Sequence, residues 1–150
     1  MSTDWEERLH TYNKPHCWQY DIRLNNLNED LKQIQGVDYT TLTVKDFVFK
    51  QVTSTQEKAL CKEFIERHEW LGTLSQYTTH WFAAYYKDII AGVILFNMPN
   101  AFSKILGDKT VDLERLISRG ACISWSPKNL ASCFLMWCID YMVKNTQYRV

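Results

Sequence analysis

Val111-Asp-Leu-Glu-Arg-Leu-Ile117, followed closely by Trp125-Ser-Pro-Lys-Asn129, is the stretch of sequence that decides the fold. The first segment alternates apolar and polar side chains, which is the pattern of a half-buried β-strand. In the second segment, Pro127 occupies a position that suits the first residue of a helix. The first amides of a helix have no partner within it, so a strand that leads into a helix predicts an anion site.

Two further segments complete this C-terminal pattern. Residues 118–124 are expected to connect the strand and the helix irregularly. The helix is expected to run to about Lys144, and its apolar side chains cover nearly every face, which predicts that it is buried together with Cys133 and Cys138. Tyr148 begins what looks like another strand.

Upstream, the pattern becomes regular from residue 47. The sequence predicts a strand over 47–52, a helix that begins at a Thr53-Ser54 cap and ends at Leu71-Gly72, and a hairpin with strands at 80–86 and 89–96 around the turn Lys87-Asp88. The order predicts an α/β fold with a mixed sheet, in which an antiparallel meander precedes a parallel crossover and helices cover both faces.

The N-terminal part, residues 1–46, is expected to be a helical extension of unknown role, separate from a core at residues 47–150. Leu24, Leu27, Leu31 and Ile34 have the spacing of an amphipathic helix, and Gly36 is a credible stop. Residues 20–24 are also compatible with a short strand. The apolar stripe must pack on the core or on a partner chain.

Composition limits the classes of function. The 150 residues suit one domain, and the 17 basic and 17 acidic side chains give a formal net charge of zero, which argues against strong nonspecific affinity for DNA. No apolar segment is long enough to cross a bilayer and the N-terminus lacks an apolar signal region, so we expect a cytoplasmic protein without membrane contact. Five cysteines without a CxxC pair fit reduced thiols.

The order of elements from residue 47, with a hairpin whose return strand begins Ile89-Ile-Ala-Gly-Val93, resembles the GNAT acyltransferase fold. A narrower resemblance is to the phage Mom-type proteins, a GNAT-like group that modifies adenine in phage DNA and so evades host restriction. Three motifs carry it in order: His68-Glu-Trp-Leu-Gly72, Asp112-Leu-Glu-Arg-Leu116 and Pro127-Lys-Asn129.

The resemblance implies a transferase with DNA as substrate and an anionic donor, either acyl-CoA or a related compound. It implies that His68, Asp112 and Arg115 are catalytic, and that His68 and an acid on the Asp112 strand handle protons. It also implies that Arg115, Lys128 and Asn129 anchor the anionic donor or the DNA backbone, and that the donor binds at the residues of the helix start: Pro127, Lys128, Asn129 and Ser132. Two departures stand out. The glycines of the usual pyrophosphate loop are absent, and the fifth strand would only be starting at Val150. The chain is therefore expected to be a fragment, to be degenerate, or to have its sheet completed by a second copy or a partner.

Each candidate residue also has a structural interpretation. Arg115 can pair with Asp112 or Glu114, which are expected to share one strand face, and Asn129 or Ser126 can simply cap the helix. His68 can be a C-terminal histidine stabilised by the helix dipole. The candidates outside these motifs are His80, a zinc set at His10, His16 and Cys17, and aromatic side chains that can stack on a base: Trp81, Tyr85, Tyr86, Trp125 and Trp137.

Three functions remain open from the sequence. The first is the adenine-modifying transferase, and the second is an ordinary N-acetyltransferase that uses acyl-CoA. The third is a non-catalytic phage protein with a degenerate GNAT-like fold that blocks a host defence through an exposed sheet edge.

Overall fold

The part of the chain that the structure describes, residues 17–99 and 112–149 of a computed structural model, contains a four-stranded sheet and three α-helices. The helices are α1 (Trp18–Asp30), α2 (Thr55–His68) and α3 (Leu130–Asn145). The strands are β1 (Val48–Val52), β2 (Thr78–Tyr86), β3 (Ile89–Asn97) and β4 (Leu116–Cys122).

The sheet has the strand order β1-β2-β3-β4, and every neighbouring pair is antiparallel. This confirms a fold that mixes helices with a sheet. The expected parallel crossover is wrong for the described residues, because no strand pairs in parallel there. The residues after α3 lie outside the sheet, although the Arg149 amide donates to the Leu113 carbonyl at 2.8 Å.

Helices cover both faces of the sheet, as the sequence predicts. On one face, Val93 and Leu95 of β3 share a buried cluster with Ile65 of α2. On the other face, Ile94 and Phe96 pack with a cluster from α3 that contains Phe134, Cys138 and Met142. The alternation of β3 side chains between two clusters explains why this central strand is apolar throughout.

The hairpin between β2 and β3 forms at the predicted turn. Lys87 has a positive φ of 51°, a conformation that two-residue hairpin turns require. The start of α2 is also as predicted, since the Ser54 hydroxyl accepts a hydrogen bond from the Glu57 amide at 3.2 Å and caps the helix.

The strand predicted at 111–117 is wrong in position. Asp112 and Leu113 lie in a short helical turn, and β4 runs from Leu116 to Cys122 through residues expected to be irregular. The strand forms there because pairing with β3 satisfies its backbone groups. Asp112 is exposed whereas Glu114 is buried, so they do not share a strand face.

The last helix, α3, begins three residues later than predicted and is not buried on all sides. Pro127 precedes its first turn, where its carbonyl accepts from the Leu130 amide at 3.1 Å. Met136 is 64% exposed and Cys133 is also exposed, whereas Cys138 is fully buried. The helix therefore covers the sheet with one face only, because no second layer lies outside it among the described residues.

The first helix packs on the core. Leu27, Leu31 and Ile34 contact the cluster on the α2 face, while Leu24 is exposed and residues 20–24 are helical. A buried carboxylate strengthens this contact: Asp30 accepts from Arg67 of α2 at 2.8 Å and from the Ser124 hydroxyl at 2.5 Å. Residues 17–46 thus pack on the same unit as the strands.

Candidate functional site: a groove along the open edge of β4

Strand β4 is an edge of the described sheet, and it carries a bulge. Arg119 pairs with Leu95 and Ile117 pairs with Phe96, so Ser118 is an extra residue on β4. The Ser118 hydroxyl contacts the Asn97 side-chain oxygen at 2.9 Å. Bulges bend a strand and re-aim its side chains, and they occur frequently beside active sites.

Two cavities follow this edge between β4 and α3. The first, of about 280 Å³, lies against Gly120, Cys122 and Leu135 and reaches α1 at Arg23. The second, of about 170 Å³, lies against Phe96, Met142 and Tyr148. Ile117 lines both cavities, so we call them together the edge groove.

Three basic side chains lie in cavities beyond the end of the edge groove near the start of α3, and of these Arg23 also lines the groove itself. Arg23 and Lys128 line a cavity of about 400 Å³ between α1 and the loop before α3. Lys128 and Lys45 line the neighbouring cavity of about 410 Å³, together with Pro127 and Asn129. We call Arg23, Lys45 and Lys128 the cationic mouth.

The start of α3 adds to the positive character of the cationic mouth. Asn129 is its N-cap residue and makes no side-chain capping bond, and the Ser132 hydroxyl turns back to the Asn129 carbonyl at 3.2 Å. A helix N-terminus bears partial positive charge. Lys45 and Lys128 form no ion pair within residues 17–99 and 112–149, so this corner suits an anion.

Arg23 also holds the loop that leads into α3. Its Nη2 donates to the carbonyls of Ser124 and Ser126 at 3.1 and 3.2 Å. The Ser124 hydroxyl in turn donates to the buried Asp30 carboxylate. The position of Pro127 and Lys128 therefore depends on α1, a contact that no local sequence pattern predicts.

Arg115 lies at the opposite end of the edge groove, so the expectation that it reaches the start of α3 is wrong. Its Nη2 donates to the Tyr148 hydroxyl at 2.5 Å, and its guanidinium lies 3.8 Å from the centre of the Tyr148 ring. Tyr148 follows the C-terminus of α3, which has 16 residues and is therefore about 24 Å long. This separation arises because β4 begins at Leu116, later than the predicted strand, so Arg115 precedes the strand and does not lie within it.

His80 contacts Tyr148 as Arg115 does, although it does not line the edge groove. Its ring meets the Tyr148 ring edge-on at 5.4 Å, and its Nδ1 lies 2.9 Å from the Thr79 hydroxyl. Burial and the positive charge of Arg115 both lower the pKa of His80, which favours a neutral imidazole. A neutral imidazole beside a phenol and a guanidinium can accept a proton from a bound nucleophile.

His68 contacts neither Arg115 nor Lys128. It ends α2 on the other face of the sheet, where its ring packs against Phe64 with centroids 4.3 Å apart and lies close to the buried Asp30. Burial lowers the pKa of His68 to about 4. The imidazolium at a helix end that the structural interpretation requires is therefore absent at neutral pH.

The aromatic candidates are buried, as Trp125 and Tyr86 are, or half-buried, as Trp81, Tyr85 and Trp137 are. Trp125 is core, between Phe47 and Tyr86. Burial raises the pKa of the Cys122 thiol to about 12, so this thiol in the edge groove stays protonated at neutral pH. His10 and His16 lie outside the described residues, and no metal-binding group of three or more ligands occurs in residues 17–99 and 112–149.

Sequence reasoning missed three residues of this region: Arg23, Lys45 and Tyr148. The local signals were weak, since Arg23 lies on a polar helix face and Lys45 in a short turn.

No helix in the described ranges has the length and apolar character that spanning a membrane needs. Comparison with protein-family models, with curated proteins and with solved structures gives no match.

Proposed function

We propose that the chain is a GNAT-like group transferase that modifies adenine bases in DNA. The observation that carries this proposal is the edge groove, which runs from Arg23 of the cationic mouth to Arg115 and Tyr148 along β4, an edge strand of the described sheet. An extended donor needs one end that binds an anion and another end that positions the reacting group. The groove offers different chemistry at its two ends in that way.

The donor is placed with its anionic part at the cationic mouth. Lys45 and Lys128 supply mobile charge, while the first turn of α3 supplies amides. The apolar middle of the groove, at Ile117 and Leu135, suits an uncharged linker. The loop departs from the glycine pattern of ordinary acetyl-CoA enzymes, so a donor related to acyl-CoA in charge is preferred to acetyl-CoA itself.

The acceptor is placed at the other end, beside the bulge at Ser118. When the exocyclic amine of adenine is acylated by a donor related to acyl-CoA, its nitrogen forms a bond to the acyl carbon and the bond from that carbon to the donor sulfur breaks. The amine loses one proton, which the leaving thiolate takes up, and His80, a neutral base close to Tyr148, can carry this proton between them. Arg115 can stabilise the negative charge that develops on a carbonyl oxygen during transfer. In this assignment Arg115 keeps a catalytic role, while His68 and the exposed Asp112 lose the roles that the resemblance implied.

Adenine as the acceptor rests on the three ordered motifs that resemble the Mom-type proteins. The zero net charge fits an enzyme that binds DNA transiently better than a protein with high nonspecific affinity for DNA. Evasion of host restriction in the host cytoplasm is the role that such a modification would serve.

Mass analysis of nucleosides from DNA that is co-expressed with the chain tests the proposal. Gly120→Val is the informative variant, because Gly120 lines the groove and a side chain there extends into it. A Cβ at this position meets only ordinary contacts, with Ile94 Cγ1 at 3.5 Å and the Val93 carbonyl at 3.7 Å. Modified deoxyadenosine should appear with the wild type and disappear with Gly120→Val. Val48→Leu, on the opposite sheet edge, is the matched control and should keep activity. Unmodified adenine with a folded wild-type protein would reject the proposal.

A second function, a non-catalytic interaction protein, is favoured by one observation. β4, an edge strand of the described sheet, carries exposed apolar side chains at Leu116 and Ile117, and Met136 of α3 is exposed as well. Unpaired edges are surfaces on which another strand can pair. Light scattering distinguishes the two, since this function requires a dimer or a complex with a partner, whereas an active monomer supports the transferase.

A further inference from the structure

A separate cavity lies behind His68 and shares no lining residue with the edge groove. It has a volume of about 410 Å³ and lies between the C-terminal half of α2, the segment after α1 and the turn of the hairpin. Its floor is apolar, formed by Phe64, Ile89, Ile90 and Ile123, and its rim carries Glu63, Arg67 and Asp88.

The charges around this cavity favour a cation. Arg67 is paired with the buried Asp30 at 2.8 Å, which offsets its charge. Glu63 and Asp88 form no ion pair among residues 17–99 and 112–149. The cavity also lies at the C-terminal end of α2, where the helix dipole is negative and stabilises positive charge.

His68 is the observation that points to a ligand. Its side chain is only 6% exposed and lines the cavity. Neither ring nitrogen has a hydrogen bond within the described part of the chain, and Nδ1 lies 3.8 Å from Asp30 Oδ2, beyond hydrogen-bonding distance. Burial lowers the pKa of His68 to about 4, so the ring is neutral and has a lone pair to offer to an N–H donor.

We infer that this cavity binds a primary amine with an apolar body, in which the ammonium group lies between Glu63 and Asp88 and donates a hydrogen bond to His68. The apolar body packs on Phe64 and the hairpin isoleucines. The inference is independent of the proposed transferase, because it uses neither the edge groove nor the cationic mouth.

Three small probes of one shape test the inference: 2-phenylethylamine, 2-phenylethanol and phenylacetate, which are cationic, neutral and anionic. Each is titrated into the full chain while the imidazole ¹⁵N signals of His68 are followed by NMR. The amine should shift the His68 signals saturably, the alcohol should bind more weakly, and phenylacetate should bind weakest. Equal binding of the amine and the alcohol, or no shift at His68, would overturn the inference.

Variants then separate charge from shape. Glu63→Gln and Asp88→Asn should each weaken amine binding about 1.5- to 5-fold, the range that an exposed ion pair provides, and should leave binding of the alcohol unchanged. Both side chains are exposed, so the fold should survive. Glu66→Gln on the same helix, whose carboxylate faces Lys62, is the matched control and should change nothing. If both cavity variants bind the amine as the wild type does, the carboxylates have no role and the assignment is wrong.

Discussion

Replacing Asp30 with Ala tests the contact between the first helix and the rest of the fold. The Asp30 side chain is 2% exposed, accepts from Arg67 at 2.8 Å and from the Ser124 hydroxyl at 2.5 Å, and faces the ring of His68. Removal leaves the Ser124 hydroxyl without this acceptor in a buried position. Arg67 is 44% exposed and can turn to water, so the contribution of its ion pair with Asp30 to the free energy of unfolding is reduced by solvent screening.

The magnitude follows from these two bonds. A hydrogen bond to a charged group contributes about 1.5–3 kcal/mol, and an ion pair that is partly exposed adds at most about 1 kcal/mol. Asp30→Ala should therefore lower the free energy of unfolding by about 2–4 kcal/mol. With a denaturant slope of about 2 kcal/mol/M, the urea midpoint should fall by about 1–2 M.

Urea denaturation followed by tryptophan fluorescence measures this change, because Trp125 is fully buried. Glu29→Ala is the matched control. Its carboxylate is the preceding residue, exposed and paired only with Lys32 at the surface, so the midpoint should stay where it is. If Asp30→Ala and Glu29→Ala give the same midpoint, the buried network does not hold α1 on the core and the reasoning fails.

Two further predictions concern titration and the groove. Burial lowers the pKa of His68 to about 4, whereas an unfolded histidine titrates near 6.5, so the unfolded state binds the proton first as the pH falls. The free energy of unfolding should thus decrease as the pH falls from 6.5 to 4, by up to about 1.4 kcal/mol per pH unit. The urea midpoint of His68→Gln should depend less on pH over that range than the midpoint of the wild type. Midpoints of the two proteins that change with pH in parallel would contradict this. At the far end of the groove, Tyr148→Phe should keep the stacking on Arg115 and lose only a hydrogen bond. Tyr148→Ala should lower the melting temperature more than Tyr148→Phe does, since it also removes a cation–π contact that contributes about 0.5–2 kcal/mol. Equal melting temperatures of the two variants would show that the ring contact contributes nothing.

Local patterns in the sequence predict the first part of the core well. The cap at Ser54 and the turn at Lys87 are short-range features, and both form where their residue types indicate. β2 and β3 are long runs rich in apolar and aromatic residues on either side of a two-residue turn, which is a strong local signal for a hairpin. In these elements the local preference and the tertiary contacts agree.

The position of β4 could not be found in the same way. Ser118 to Cys122 contains a glycine, small side chains and an arginine, so its local preference for a strand is weak. Pairing with β3 selects it nevertheless, as in Gly120 opposite Ile94 and Ala121 opposite Val93. The alternating residues just before it matched the strand pattern better and drew the prediction several positions too early.

The candidate site was predicted in part for a related reason. Pro127, Lys128 and Asn129 do lie together at a cavity before α3, because they are neighbours in sequence. Arg115 was assigned to the same corner through the misplaced strand. Its contact with Tyr148, and that of Asp30 with Ser124, join residues far apart in the chain, and no local pattern reveals such pairs.

The most direct test of the account is where an anion binds. Inorganic pyrophosphate is titrated into the ¹⁵N-labelled chain, and amide and lysine side-chain signals are followed by NMR, with the double variant Lys45→Gln, Lys128→Gln for comparison. If the cationic mouth binds the donor's anionic part, saturable shifts should appear at Lys45, Lys128 and the first turn of α3, and the double variant should abolish them. Shifts confined to Arg115 and Arg149, or shifts that persist in the double variant, would contradict a donor site at the cationic mouth.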